Sequence, residues 1–248
     1  MTRVAREQRR ALGGMSRRAA PWLAWSLCVL CVALAAATPI LALLNGRTLA
    51  VIFLAWGPTI AGLAAIPTLT VSFSVVGALI ASHRPENPIG WIFLAVGFFC
   101  GLLSAADEYA VYALLTNPGA LPLGAEASWL GQWIWAPGFG LILVFLPLLF
   151  PDGHPPSPRW RPVAWLGGLS IGLTGVSSTI LLWPERGPAL LTGAEYPSSH
   201  VAYVLVDFTA VPMLFVAGLG AVISLLVRFR RAGGMSDSRS SGSPPPLP

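Results

Sequence analysis

The sequence predicts an all-α membrane protein, a bundle of about six transmembrane helices with disordered N- and C-terminal tails. Three observations carry that expectation. Hydrophobic residues make up 55% of the 248 and charged residues only 10%, against roughly 25% charged in a soluble domain. Mean hydropathy is +0.71. Successive apolar runs are each long enough for the ~20 residues that cross a hydrocarbon core, and the arginines cluster just outside them. A chain this apolar uses the bilayer as solvent and must close its backbone hydrogen bonds within each segment.

Residues 1–19 form a basic tail, Arg3, Arg6, Arg9, Arg10, Arg17 and Arg18 against a single Glu7, with Met15 as an alternative start. The apolar run Ala20–Leu44 reads as the first span. A twin-arginine or secretory signal is the competing reading, since Ala35-Ala36-Ala37 resembles a cleavage site. The run is nevertheless about 25 residues, longer than an h-region of roughly 7–15. After Asn45-Gly46-Arg47-Thr48, the run Leu49–Ala81 exceeds one span, so the second helix is placed at about Pro58–Ala81, with an interfacial Trp56 and a kink at Pro67.

The connection His83-Arg84-Pro85-Glu86-Asn87-Pro88-Ile89-Gly90-Trp91 then sets a helix end, a helix start and an interface. Pro85 cannot continue the incoming helix. Asn87 before a proline is pushed to extended backbone, as an N-cap requires, and Pro88 suits the first helical position. Trp91 falls where an indole straddles the headgroup boundary. The third helix is expected from Pro88 to about Ala106. Asp107-Glu108 would open a polar excursion holding a short interfacial helix with Tyr109 and Tyr112. Trp129, Trp133 and Trp135 open a fourth helix ending at Phe150. Pro151-Asp152-Gly153 carries turn chemistry, and Ser157-Pro158, before Arg159, Trp160 and Arg161, repeats the cap-then-proline start of a fifth helix to about Trp183. A sixth helix, about His200–Val227, would be stopped by Arg228, Arg230 and Arg231. The 20–231 region is thus the membrane domain and 232–248 a Ser/Gly/Pro-rich tail, expected to be disordered.

All fifteen basic residues are arginine; thirteen fall on the side of the termini and of the connections at Arg84 and Arg159, and only Arg47 and Arg186 on the other. Asp107, Glu108, Glu126, Glu185 and Glu195 lie on the arginine-poor side. The positive-inside rule then places both termini in the cytoplasm of a cell (inner) membrane protein.

Few residues suggest chemistry. His83, His154 and His200 lie in different connections, and no phosphate-binding Gly-rich loop, HExxH or GxSxG occurs. No catalytic, cofactor or metal residues are assigned, and the lipid bilayer is a more natural partner for the arginines than nucleic acid. Cys28 and Cys31 form a CxxC inside an apolar span, where, like Cys100, they read as small packing residues. Asp107 and Glu108, with Tyr109, are candidates for sensing because ionisable groups at membrane depth are costly; an interfacial polar rim is the alternative. Asp207, inside the sixth helix, is a further candidate for sensing or binding and needs a partner, either Arg186 or a bundle-facing hydrogen bond. Coupled transport is disfavoured because mid-span charge is almost absent, although Pro58, Pro67, Pro137, Pro147 and Pro212 offer kinks.

Four stretches carry a resemblance: Val76 through Trp91, with its Arg84-Pro85-Glu86-Asn87-Pro88-Ile89-Gly90-Trp91; Glu108-Tyr109-Ala110; Leu148 through His154 leading into Ser157-Pro158-Arg159-Trp160-Arg161; and Val227-Arg228-Phe229-Arg230-Arg231-Ala232. Over about residues 20–232 the chain resembles the N-terminal multi-pass membrane sensor region of actinobacterial sensor histidine kinases. The resemblance implies an input module working as a homodimer, with a separate histidine kinase or response partner for output. The kinase core of that family is not matched, and no histidine follows His200. The expectation is therefore a non-catalytic sensor module, stand-alone or truncated, with a small transporter or channel-like permease as the alternative.

Reporter fusions after Arg84 and Arg161 are expected to report cytoplasm, and fusions near Gly124 and Gly193 the exterior. A cytoplasmic signal at Gly124 would overturn the orientation or the helix count.

Overall fold

A computed structural model describes residues 19–46, 60–155, 157–183, 187–192 and 198–240. Arg47, Trp56, Pro58, Glu185, Arg186, Glu195 and the tails 1–18 and 241–248 lie outside the described residues. Among the described residues all regular structure is helical, and six helices are long and apolar enough to cross a membrane: Ala19–Asn45, Ala64–His83, Pro88–Thr116, Gly124–Leu149, Pro158–Leu182 and Val204–Arg230. The chain is a multi-pass membrane protein with the fold class its composition predicts.

The second helix runs Ile60–His83 with Pro67 inside it, where the missing N–H removes one rung of the ladder. The third begins as its sequence predicts. Asn87 is extended at φ −87°, ψ 116°, with Pro88 in the first turn. Its Oδ1 accepts from the Ile89 amide at 3.0 Å, and Trp91 Nε1 donates to the Pro85 carbonyl at 3.0 Å.

The expected end of that helix at Ala106 is corrected. It runs Pro88–Val111 and continues as a π-helical turn, Tyr112–Thr116. Asp and Glu lower helix propensity only slightly, and no proline or glycine intervenes before Pro118. Asp107, Glu108, Tyr109 and Tyr112 therefore sit on the third span, and the separate short helix expected to hold the tyrosines is instead Gly124–Gly131.

That short helix starts the fourth span, earlier than Trp129. The span is assembled from pieces: Gly124–Gly131, Trp135–Gly140, a π turn Leu141–Phe145 and Leu146–Leu149. The fifth opens with a 3₁₀ turn, Pro158–Trp160; Ser157 is extended but makes no side-chain cap bond, so the second cap-then-proline start keeps only its proline. The helix Arg161–Ser177 then passes into a third π turn, Ser178–Leu182.

The sixth helix, Ser198–Ser240, does not stop at its arginines. Arg is a good helix former, and no proline follows Pro212 until Pro244. The charges of Arg228, Arg230 and Arg231 end the apolar run but leave the hydrogen-bond ladder running.

The first three spans pack on one another, the fifth packs on the sixth, and the fourth touches the third, fifth and sixth. Small residues set the approach of the second and third spans. A Cβ on Gly90 would lie 2.6 Å from the Ala81 amide nitrogen, one on Gly77 2.6 Å from that of Leu94, and one on Gly97 would overlap Ser74 Oγ. Thr70 and Ser74 are fully buried in this seam, and Ser74 Oγ donates to the Thr70 carbonyl at 2.5 Å. In lipid, where apolar surface gains nothing by association, close backbone contact and dispersion hold helices together. The bundle exterior is correspondingly apolar: Trp22 is 79% and Trp165 77% exposed.

Gly97→Ala is expected to lower the thermal midpoint in detergent, as overpacking of order 1–3 kcal/mol does. A Cβ on Gly172 would meet nothing within 4 Å, so Gly172→Ala is expected to be neutral or to stabilise by about 0.5–1 kcal/mol. Equal midpoints for the two variants would remove the close seam.

Candidate functional site

Three helical stripes enclose a cavity of about 430 Å³. The third span contributes Leu103 and Asp107, one turn apart; the fourth contributes Gly131, Trp135 and Phe139 at four-residue spacing; the sixth contributes Asp207, Val211, Leu214 and Phe215. Spacings of three and four residues place side chains on one helix face, so these stripes point into the same space.

Two of the four candidate sensing residues, Asp107 and Asp207, thus meet at one cavity although a hundred residues separate them. Gly131 makes room for the first: the Asp107 Oδ1 occupies the place of a Cβ. Asp207 Oδ1 is buried with no hydrogen-bond partner in the described residues. Pro212, also in the lining, lacks the amide that would bond the Phe208 carbonyl. The lining has acceptors and apolar surface, and among the described residues its only charged members are the two aspartates.

Glu108 and Tyr109 hydrogen-bond to neighbouring elements. Asn45, at the end of the first span and 6% exposed, donates from Nδ2 to the Glu108 carboxylate at 2.7 Å and to its carbonyl at 3.0 Å. Thr116 Oγ1 donates to Asn45 Oδ1 at 2.9 Å. Tyr109 OH donates to the Pro122 carbonyl at 2.5 Å, tying the connection back onto the third span. In the sequence Asn45 marks only the start of a break; an asparagine in the last turn of an apolar helix is the signal that points further. Trp129, an interfacial marker by its position, has a second role: its Nε1 donates at 3.0 Å to the Ser178 carbonyl, where the fifth span turns π-helical.

The connection residues gather at the opposite end. Arg228, on the sixth helix, donates from one guanidinium nitrogen to the Phe150 carbonyl and from the other to the His154 carbonyl at 2.8 Å. Asp152 is 3.9 Å from the same guanidinium and largely exposed, an ion pair of small worth. Gly153, at φ +76°, lies so close to the Pro88 ring that a Cβ would overlap it. The two connections therefore touch through Gly153 and Asn87-Pro88, and the sixth helix holds the second of them. Pro151 belongs to that turn, and Gly90 packs beneath the first against Ala81. Arg84 contributes backbone, its carbonyl accepting from the Asn87 amide at 3.0 Å; the Trp160 amide donates to the Ser157 carbonyl at 3.1 Å.

His83 and His154 bond locally, His83 Nδ1 with the Leu79 carbonyl at 2.8 Å and His154 Nδ1 with the Asp152 carbonyl at 2.9 Å. Among the described residues no three His, Cys, Asp or Glu side chains converge as a metal site would require. No protein-family model matches the chain, and no match was found among curated proteins or solved structures.

Asn45→Leu leaves the Glu108 carboxylate without its donor, a loss of about 1–3 kcal/mol. Its thermal midpoint in detergent is expected to fall further than that of Tyr109→Phe, which removes one neutral hydrogen bond of about 0.5–1.5 kcal/mol. The reverse order would show that Asn45 does not hold the first and third spans together.

Proposed function

We propose that the chain is a non-catalytic membrane input module, with both termini cytoplasmic, that acts as a homodimer on a separate kinase or response partner. One observation supports this above the others: a single unbroken helix, Ser198–Ser240, lines the cavity and continues beyond the apolar span. Asp207 at the cavity and Arg228 at the connections lie 21 residues apart on it, roughly 30 Å of helix. Any ligand that binds one position of this helix better than another shifts the population toward it. The shift reaches Arg228, the connections it grips, and the helix beyond. The resemblance to kinase sensor regions and the thirteen-to-two division of arginines support the same reading.

Transport is the rival reading, favoured by two carboxylates at membrane depth on one cavity. Against it, among the described residues no Asp, Glu, His or Arg lies in the spans between that cavity and the connection end. A coupled ion would find no relay.

Cysteine substitutions at positions 225–232, with Cys28, Cys31 and Cys100 replaced, are expected to crosslink between copies in membranes with a helical period. Absence of crosslinks at every position, together with substrate flux in proteoliposomes lost in Asp207→Ala, would replace the module with a transporter.

A further inference from the structure

We propose that the cavity between the third, fourth and sixth spans binds a lipophilic organic cation. This deepens the input-module reading and rests on it for purpose, but its test is of binding alone. Among the described residues the two aspartates are the only charged members of the lining. Asp207 Oδ1 is buried and, among the described residues, lacks a donor, and a buried acceptor without a partner is unfavourable until one arrives. Glu108 does not compete for the site, since Asn45 holds its carboxylate.

The rest of the lining decides what carries the positive charge. Trp135, Phe139, Phe208 and Phe215 border the same space as the carboxylates, and aromatic faces attract cations. A bare metal ion would want several oxygen ligands in a small cage; a volume of about 430 Å³ is instead that of a small-molecule pocket, typically about 300–1,000 Å³. Phe208 is 74% and Phe215 61% exposed on the outside of the bundle. The mouth therefore faces the hydrocarbon, and the ligand reaches it by first partitioning into the bilayer. A neutral acyl chain fits the apolar walls but leaves the Asp207 carboxylate unmet, and a lipophilic anion is repelled.

The test uses the full chain in zwitterionic-lipid nanodiscs and two ions of one shape and opposite charge, radiolabelled tetraphenylphosphonium and tetraphenylborate. Equilibrium dialysis against empty nanodiscs is expected to show saturable binding of the cation and none of the anion. Asp107→Asn and Asp207→Asn, which keep side-chain shape, are each expected to weaken cation binding about tenfold or more. Val211→Trp, which plugs the wall, is expected to abolish it. Glu126→Gln, outside the lining, is expected to leave it unchanged. Thermal midpoints and monodispersity identify any variant that fails to fold, and the remaining variants then decide. Equal binding of the two ions, no cation binding to the native chain, or undiminished binding in the folded Asp→Asn variants would overturn the proposal. Failure of cation binding with stem crosslinks retained removes only the cation; loss of the crosslinks with cation binding retained removes only the module.

Discussion

A hydrocarbon layer offers no hydrogen bonds, and that one deficiency shapes every level of this protein. It forces each span to be helical, since a backbone group left open there has no partner to find. It also means that wherever the ladder is disturbed, another group must step in. The Ser178 carbonyl, at a π-helical turn, receives the Trp129 indole. Asn45 spends both ends of its amide on Glu108 and Thr116. Asp207 departs from that habit: among the described residues it is the one carboxylate with an oxygen buried and unmet.

The bundle joins two kinds of packing. The second and third spans meet through glycine, serine and threonine, close enough that a single added carbon does not fit. The fourth is a series of short pieces with one π turn, and it touches the third, fifth and sixth. The cavity lies along this irregular span, between the tight seam and the sixth helix. Irregular backbone at membrane depth is tolerated where it is buried in protein or borders a cavity.

What is legible in the sequence is local. Asn87-Pro88 and the Trp91 indole behave as their chemistry requires because every partner lies within six residues. The number of spans follows from apolar runs alone. Helix ends marked by charge fall in the wrong place at Asp107 and at Arg228, because charge reports the edge of the lipid and says little about the hydrogen-bond ladder. The Gly77–Gly90–Gly97 seam is hidden for another reason. In a lipid-facing helix both faces are apolar, so no periodicity separates the packed side from the exposed one. Asp107 and Asp207 each stand out as charges in apolar surroundings, but their meeting depends on three stripes from separate spans, and Gly131, which makes the space, carries no chemical signal of its own.

The grip of Arg228 has a consequence for how this chain can change over generations. Its two hydrogen bonds go to the carbonyls of Phe150 and His154, which every residue type supplies. The side chains of Phe150 and His154 are therefore free to drift without loosening the grip, whereas the positive φ of Gly153 and its nearness to Pro88 leave no space for a substituent. Length is another matter. One residue inserted or deleted between positions 150 and 154 would carry a carbonyl out of reach of a guanidinium whose fork has a fixed span. The turn is thus a ruler, measured by the sixth helix, whose markings can be repainted but not respaced.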